Sequence, residues 1–267
     1  MEITEVFGYF GALIVGLVLG LIGGGGSILT VPVLVYLIGL NPIVATAYSL
    51  FVVGITSVFG AFQNFRKGQV DLKTAIIFAI PAFIAVYITR RFLVQLIPDV
   101  VFSVGNFKVT NNIFIMVLFA VIMLLASYSM IKSKRDKLKS IEAEIQSFNF
   151  PLIAIEGFVV GILTGLVGAG GGFLIIPALV LLAKLPMKKA VGTSLLIIAV
   201  KSLIGFLGDI PNIEVDWKFL LIFTLISILG IILGVYLSKF ISGKKLKKGF
   251  GYFTLIMAVY IIYKELL

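Results

Sequence analysis

Two glycine-rich runs, at residues 20–27 and 165–172, are the clearest candidates for a functional site. Each run joins two apolar stretches of sequence. Glycine inside a helix costs about 1 kcal/mol relative to alanine, so several glycines in succession predict that the helix breaks at each run. A second helix would then begin inside the protein. The glycines concerned are Gly23, Gly24, Gly25 and Gly26 in the first run and Gly168, Gly170, Gly171 and Gly172 in the second.

A helix that begins inside a protein offers a site for negative charge. Its first backbone amides have no acceptor within the helix, and its dipole places about +0.5 charge at that end. Ser27 is the predicted N-cap in the first run, whereas Gly172 occupies the corresponding position in the second. Two such helix starts that meet would bind an anion without a basic side chain. The alternative is that the glycines only permit close helix packing.

Lys201 is the one basic residue at the centre of an apolar segment, where an ionisable group indicates function. It could attract an anion, pair with Glu156 or extend its ammonium into a cavity. No buried carboxylate pair for proton coupling is predicted, because Glu156 and Asp209 are expected near the membrane interface. Further polar side chains could donate to an oxyanion or bond to a neighbouring helix; these are Tyr48, Ser49, Gln63, Asn64, Thr193 and Ser194.

The composition places these residues in a lipid environment. The 267-residue chain is 60% hydrophobic and 13% charged, against roughly 45–50% and 25% for a soluble domain. Its net charge of +10 resides mainly between apolar runs, which is typical of membrane loops and not of nucleic-acid binding. The chain has no Cys and no His. We therefore predict no enzyme, no metal site and no cofactor.

The chain divides into two membrane repeats joined by a polar linker. We assign residues 1–131 to the first repeat, 132–150 to a basic cytoplasmic linker and 151–267 to the second repeat. Each repeat contains five apolar segments, so the predicted fold is an all-α integral membrane protein. The segments are 6–22, 27–40, 43–65, 72–89 and 113–131, then 152–168, 173–183, 190–207, 219–237 and 249–263.

Two of these segments, 27–40 and 173–183, are too short to cross the hydrocarbon core, which takes about 20 helical residues. Each follows a glycine run. They are predicted to be half-helices or re-entrant segments, and the sequence leaves open whether they span or re-enter the membrane. In both cases their backbone must be satisfied by protein or by a water-filled cavity, because lipid offers no hydrogen bonds.

The two halves are related by an internal repeat. Residues 16–73 align without a gap on residues 161–218, and about one aligned position in three is identical. The identities include glycines and Pro32/Pro177, which indicates matching backbone geometry. Each half has an odd number of crossings, so we predict that the repeats are inverted in the membrane. Inverted repeats with glycine-interrupted short segments are typical of transporters with a midplane site.

The distribution of Lys and Arg predicts the orientation. If the linker is cytoplasmic, most of the 22 basic residues lie on the inner side, as the positive-inside rule requires. Both termini are then external. Arg90 and Arg91 fall on the outer side, where we expect them to extend from an interfacial stretch toward water.

The doubled pattern of glycines followed by proline, at residues 20–32 and 165–177, resembles the TauE/SafE family of sulfite-exporter-like membrane permeases. The resemblance covers nearly the whole chain. It implies an inner-membrane protein that moves small anions such as sulfite, sulfonates or related organosulfur and organic acids. It leaves the anion itself open, because substrates vary within the family.

The sequence therefore predicts a transporter of small anions that works by alternating access around the two glycine breaks. Export is favoured, because an anion leaving an inside-negative cell gains about 2.3 kcal/mol per charge per 100 mV. The alternatives are an anion channel and a membrane scaffold without transport. The sequence does not predict the oligomeric state.

Overall fold

The protein is a bundle of helices. The computed structural model describes residues 3–24, 26–104, 107–132, 150–181, 183–241 and 243–266. The linker prediction falls largely on residues 133–149, which lie outside the described residues. The helices of the first half are α1 (Ile3–Ile22), α2 (Ser27–Pro32, continued by a π-helical turn at Val33–Leu37), α3 (Pro42–Arg66), α4 (Leu72–Ile88, continued by a π-helical turn at Thr89–Leu93) and α5 (Asn111–Lys132).

The second half repeats this order. Its helices are α6 (Phe150–Val167), α7 (Gly172–Leu181), α8 (Met187–Asp209, followed by a short 3₁₀ turn at Ile210–Asn212), α9 (Trp217–Leu237) and α10 (Gly243–Leu266). Five of the described helices, α3, α4, α5, α8 and α9, are long and apolar enough to cross a membrane. The predicted helical class is therefore supported, and each of the ten apolar segments overlaps one helix.

The region between α4 and α5 differs from the prediction. Strands β1 (Val100–Val104) and β2 (Phe107–Thr110) pair there as an antiparallel hairpin. Both strands are rich in β-branched and aromatic residues, which favour extended structure. The all-α prediction missed these strands, because it located elements only by the length and hydropathy of apolar segments.

Helices α3 and α8 form the centre of the bundle. About two-thirds of the membrane-spanning window of each is buried, against less than half for α4, α5 and α9. They cross in antiparallel directions, since Gly54 lies against Leu203 and Gly60 against Leu195. This central pair carries most of the polar side chains that the sequence singled out.

The outer helices pack on the centre in two equivalent pairs. Gly16 lies against Ser227 and Gly20 against Val235, so α1 and α9 run in the same direction. In the other pair, α6 and α4, Gly157 lies against Phe78 and Gly165 against Thr89. Glycines at four-residue spacing thus bring the helix backbones into direct contact.

Two loops are fixed in the same way in both halves. Asp71 caps α4 by accepting from the amide of Thr74, and Asp216 caps α9 by accepting from the amide of Phe219. These caps lie in the short turns from α3 to α4 and from α8 to α9, where α4 turns back against α3 and α9 turns back against α8.

We predict that Gly230→Ala weakens the bundle. The added methyl group would lie 2.8 Å from the backbone nitrogen of Leu17 in α1, and such overpacking costs about 1–3 kcal/mol. The measurement is the midpoint of thermal unfolding in detergent. Gly249→Ala is the control, because a methyl group there meets nothing within 4 Å. Equal midpoints for the two variants would contradict the close contact between α1 and α9.

Candidate functional site

The two glycine breaks meet inside the bundle. A methyl group on Gly24 would lie 2.5 Å from Cα of Gly172, and one on Gly170 would lie 3.3 Å from Cβ of Ser27. All four residues are buried. The two helix starts that the sequence placed far apart along the chain therefore lie side by side.

The backbone at both breaks requires glycine. Gly23 and Gly24 have φ of 75° and 149°, and Gly168, Gly170 and Gly171 have φ of 69°, 60° and 70°. Residues with a Cβ rarely adopt this left-handed region. The chain thus reverses through conformations that a helix-packing glycine would not need. Gly25 was also predicted here and lies outside the described residues.

The predicted N-cap role of Ser27 is wrong. Gly26 holds the N-cap position of α2, without a side-chain hydrogen bond, and Ser27 is the first helical residue. The Ser27 hydroxyl donates back to the carbonyl of Gly24 at 2.6 Å. A serine one position past the cap reaches the preceding turn and not the free amides ahead of it.

Lys201 lies at the second break. Its side chain is completely buried, and Nζ donates to Oγ1 of Thr164 at 2.6 Å. A methyl group on Gly171 would lie 2.6 Å from the same nitrogen. The ammonium does not pair with Glu156, which was one prediction. Among the residues that the structure describes, it has no carboxylate partner.

The start of α7 adds further donors next to this ammonium. The amides of Leu174 and Ile175 donate to the carbonyl of Gly171. The amide of Gly172, the first residue of α7, has no backbone acceptor among the described residues. A buried donor without an acceptor costs free energy. The Lys201 ammonium and the start of α7 therefore lie together at one buried place.

The predicted hydroxyl residues divide into two groups. Ser194 lies at the first break, where its hydroxyl bonds to the carbonyl of Gly23 and to that of Val191. Ser49 occupies the corresponding position in the repeat and is buried, and its hydroxyl has no hydrogen-bond partner among the described residues.

Tyr48 and Thr193 have a different role. The Tyr48 hydroxyl accepts from the amide of Asp216 at 2.6 Å, and the Thr193 hydroxyl accepts from the amide of Asp71 at 2.9 Å. Both hydroxyls thus hold the loops that follow the central helices. We leave these two residues out of the proposed site.

A buried ion pair lies at the opposite end of the bundle from the loop that joins α3 to α4. Arg90 is completely buried, and Nε donates to Asp209 at 2.7 Å. Its guanidinium also donates to the Thr46 hydroxyl and to the carbonyl of Gly165. The prediction that Arg90 extends toward water is wrong. Asp209, which was expected near the membrane interface, is buried within the protein in this pair. One arginine instead connects α4 to α3, α6 and α8.

Three important residues were thus missed. The repeat did not indicate a polar role for Thr164, because this residue aligns with the apolar Leu19. Arg90 and Asp209 are far apart in sequence and each stands at the end of an apolar segment, where charged residues are ordinarily solvated. A signal was nevertheless present for Arg90, which deviates from the inner-side preference of basic residues.

Comparison with known proteins agrees with this architecture. The sequence model of the family described as Sulfite exporter TauE/SafE matches residues 9–261. The chain belongs to the TauE/SafE family. The resemblance read from the doubled glycine motif is confirmed, and the protein is a multi-pass membrane protein of a transporter family.

Curated relatives of this TauE/SafE protein carry transporter names. A probable membrane transporter protein of Xylella fastidiosa (strain 9a5c) is 28% identical over 94% of this chain and 92% of its own length. Probable membrane transporter protein YunE of Bacillus subtilis is 31% identical over 78% of this chain and 79% of its own. No solved structure matches the chain.

We predict that Gly24→Ala lowers stability more than Gly39→Ala. Both glycines have positive φ, at 149° and 81°, so both variants incur the backbone cost of roughly 1–2 kcal/mol. Only Gly24→Ala also drives a methyl group into Gly172, whereas Gly39 has open space around it. The free energy of unfolding in detergent measures the difference. Equal losses would show that the two breaks do not touch.

We also predict that Arg90→Met and Asp209→Asn each destabilise the fold by about 3–5 kcal/mol, because each leaves a buried charge unpaired. The double variant is expected to lose less than the sum of the two. Arg91→Met is the control, because Arg91 makes only a 3.4 Å bond to Asn212 at the surface. Additive losses in the double variant would contradict the ion pair.

Proposed function

We propose that this TauE/SafE protein transports small anions across the membrane through a site at the two glycine breaks. One observation carries the proposal: the buried Lys201 ammonium lies beside the start of α7 and has no carboxylate partner among the described residues. A buried charge without a counter-charge is costly in a membrane protein. A bound anion offsets that cost and can accept from the amide of Gly172 at the start of α7.

The proposed site residues are the glycines of both breaks, together with Lys201, Ser49 and Ser194. Thr164 joins them as the residue that holds the ammonium. The donors are backbone amides, hydroxyls and one ammonium, which suit an oxyanion with several acceptor oxygens. Sulfite, sulfonates and small organic acids share this chemistry. The family description names sulfite export, and sulfite is therefore the first probe.

The helix directions support an inverted repeat. Helix α1 runs parallel to α9, α6 runs parallel to α4, and α3 runs antiparallel to α8. Short loops make α4 antiparallel to α3 and α9 antiparallel to α8. It follows that α1 and α6, which are equivalent in the repeat, run in opposite directions. Repeats of this kind can exchange conformations and so open one site alternately to the two sides.

The breaks and the short helices fit a re-entrant arrangement. Helix α7 has 10 residues, which is about 15 Å of rise, or half of the hydrocarbon core. Since α1 and α3 both run parallel to α9, α2 must return toward the side from which α1 came. We infer that α2 and α7 enter the membrane from opposite sides and meet at the site, with the linker in the cytoplasm and both termini outside.

We infer that the physiological direction is export. A monovalent anion that leaves an inside-negative compartment gains about 2.3 kcal/mol per 100 mV, so no coupling ion is required. Proteoliposomes loaded with sulfite test this directly. Efflux should rise with an inside-negative potential, and saturation with exchange against external sulfite separates a carrier from an anion channel. Flux that ignores the potential would contradict electrogenic export.

The central prediction concerns Lys201→Met. Methionine fills the space of the lysine stem without the charge, so the fold should be as stable as the wild type or more stable. Sulfite flux should fall at least tenfold, because the counter-charge of the site is gone. The readouts are sulfite efflux from proteoliposomes and the thermal midpoint in detergent.

Lys218→Met is the matched control, because Lys218 is exposed at the start of α9. It should retain wild-type flux. Lys201→Arg keeps the charge but changes its geometry, and we expect an intermediate loss. Wild-type flux in well-folded Lys201→Met would overturn the proposed site.

A further inference from the structure

A polar cavity, separate from the proposed site at Lys201, lies next to the first glycine break. It has a volume of about 200 Å³ and opens at the end of the bundle where α3 ends, α8 begins and α9 ends. Liquid water takes about 30 Å³ per molecule, so the cavity holds a small oxyanion with several waters. Its lining residues are Leu21, Ile22, Asn64, Lys67, Gln69, Met187, Lys188, Val191, Ser238, Lys239 and Ile241.

The charge at this cavity is of one sign. Lys67, Lys188 and Lys239 come from three separate connections of the chain and line the same opening. None of the described residues that line it is a carboxylate. Partial burial lowers the pKa of the Lys67 ammonium, and the nearby charge of Lys239 lowers it further. Three cations held near one another without a counter-charge attract an anion.

The inner wall of the cavity belongs to the first break. Leu21 and Ile22 are the last residues of α1 before Gly23, and a methyl group on Gly23 would lie 2.8 Å from Cβ of Val191. The cavity therefore borders the first glycine break at the turn of Gly23 and at the side chain of Val191.

The equivalent place at the other end of the bundle holds a buried ion pair. In the ungapped repeat alignment, Asn64 and Val191, which line the cavity, correspond to Asp209 and Thr46. Those two residues are buried and bonded to the guanidinium of Arg90. The position that is a cavity at the lysine-rich end is thus filled by an ion pair at the other end.

We propose that this cavity is a second binding site for small oxyanions, formed by Lys67, Lys188 and Lys239, from which anions pass to the site at Lys201. The passage of anions from the cavity to Lys201 rests on the proposed function. The binding of an anion in the cavity is inferred independently, from the cavity and its three lysines. The same positive-inside argument that orients the chain places this site on the cytoplasmic side, where an exporter receives its substrate.

Equilibrium titration of the detergent-purified full chain with sulfite tests the proposal. We expect two binding events in the wild type and one in the double variant Lys67→Gln/Lys239→Gln. The lost event should be the salt-sensitive one, because exposed charges are screened at high ionic strength and buried ones much less. The affinity of the remaining event should change less than threefold.

The double variant Lys189→Gln/Lys248→Gln is the matched control. It removes the same charge from two exposed lysines, one in α8 and one in α10, that do not line the cavity. Two binding events are expected in this control. If Lys67→Gln/Lys239→Gln binds sulfite as the control does, the second site is overturned.

The transport site is tested separately by Lys201→Met in the same titration. Loss of the salt-insensitive event supports the site at Lys201, and its retention contradicts the proposed function without affecting the cavity. A failure of one site is therefore distinguishable from a failure of the other. Sulfate in place of sulfite shows whether the cavity selects for charge alone, in which case sulfate binds there with similar or higher affinity.

Discussion

The structure depends on one constraint: polar groups inside a membrane protein must find their partners within the protein or in what it binds. Two helices stop and restart in the interior, and the turns between them use backbone conformations open to glycine. The two breaks meet where Gly24 touches Gly172. The buried ammonium of Lys201 adds positive charge there. Because lipid cannot compensate this buried charge, we propose that a bound anion does.

The packing of the other helices holds the two glycine breaks in contact with each other. Helices α3 and α8 cross at the centre, and glycines on α1, α6 and α9 allow backbones to pack at van der Waals contact. The loops after the central helices are fixed by the Tyr48 and Thr193 hydroxyls. These two residues illustrate how a polar side chain beside a functional helix can serve the scaffold. A hydroxyl that bonds to a loop amide is no longer free to contact a substrate.

The two halves are similar in sequence but unequal in charge. Arg90 and Asp209 close one end with a buried ion pair, while the equivalent region at the other end is a cavity bordered by three lysines. The central site is unequal as well, because Lys201 aligns with Thr56 and Gly172 with Ser27. These differences make the two ends of the repeated fold chemically unequal. They are compatible with an anion that enters at the lysine-rich end and passes the glycine breaks toward the other.

The sequence by itself determined the membrane class, the helix order, the repeat and the two breaks, because hydropathy and runs of glycine act locally along the chain. It also identified Lys201, since a lysine within an apolar segment is conspicuous. Only the tertiary structure decided what these residues touch. The contact of Gly24 with Gly172, the bond from Lys201 to Thr164 and the burial of Arg90 against Asp209 each join residues distant in sequence. Burial and pairing are properties of the packed bundle, so local pattern could not assign them.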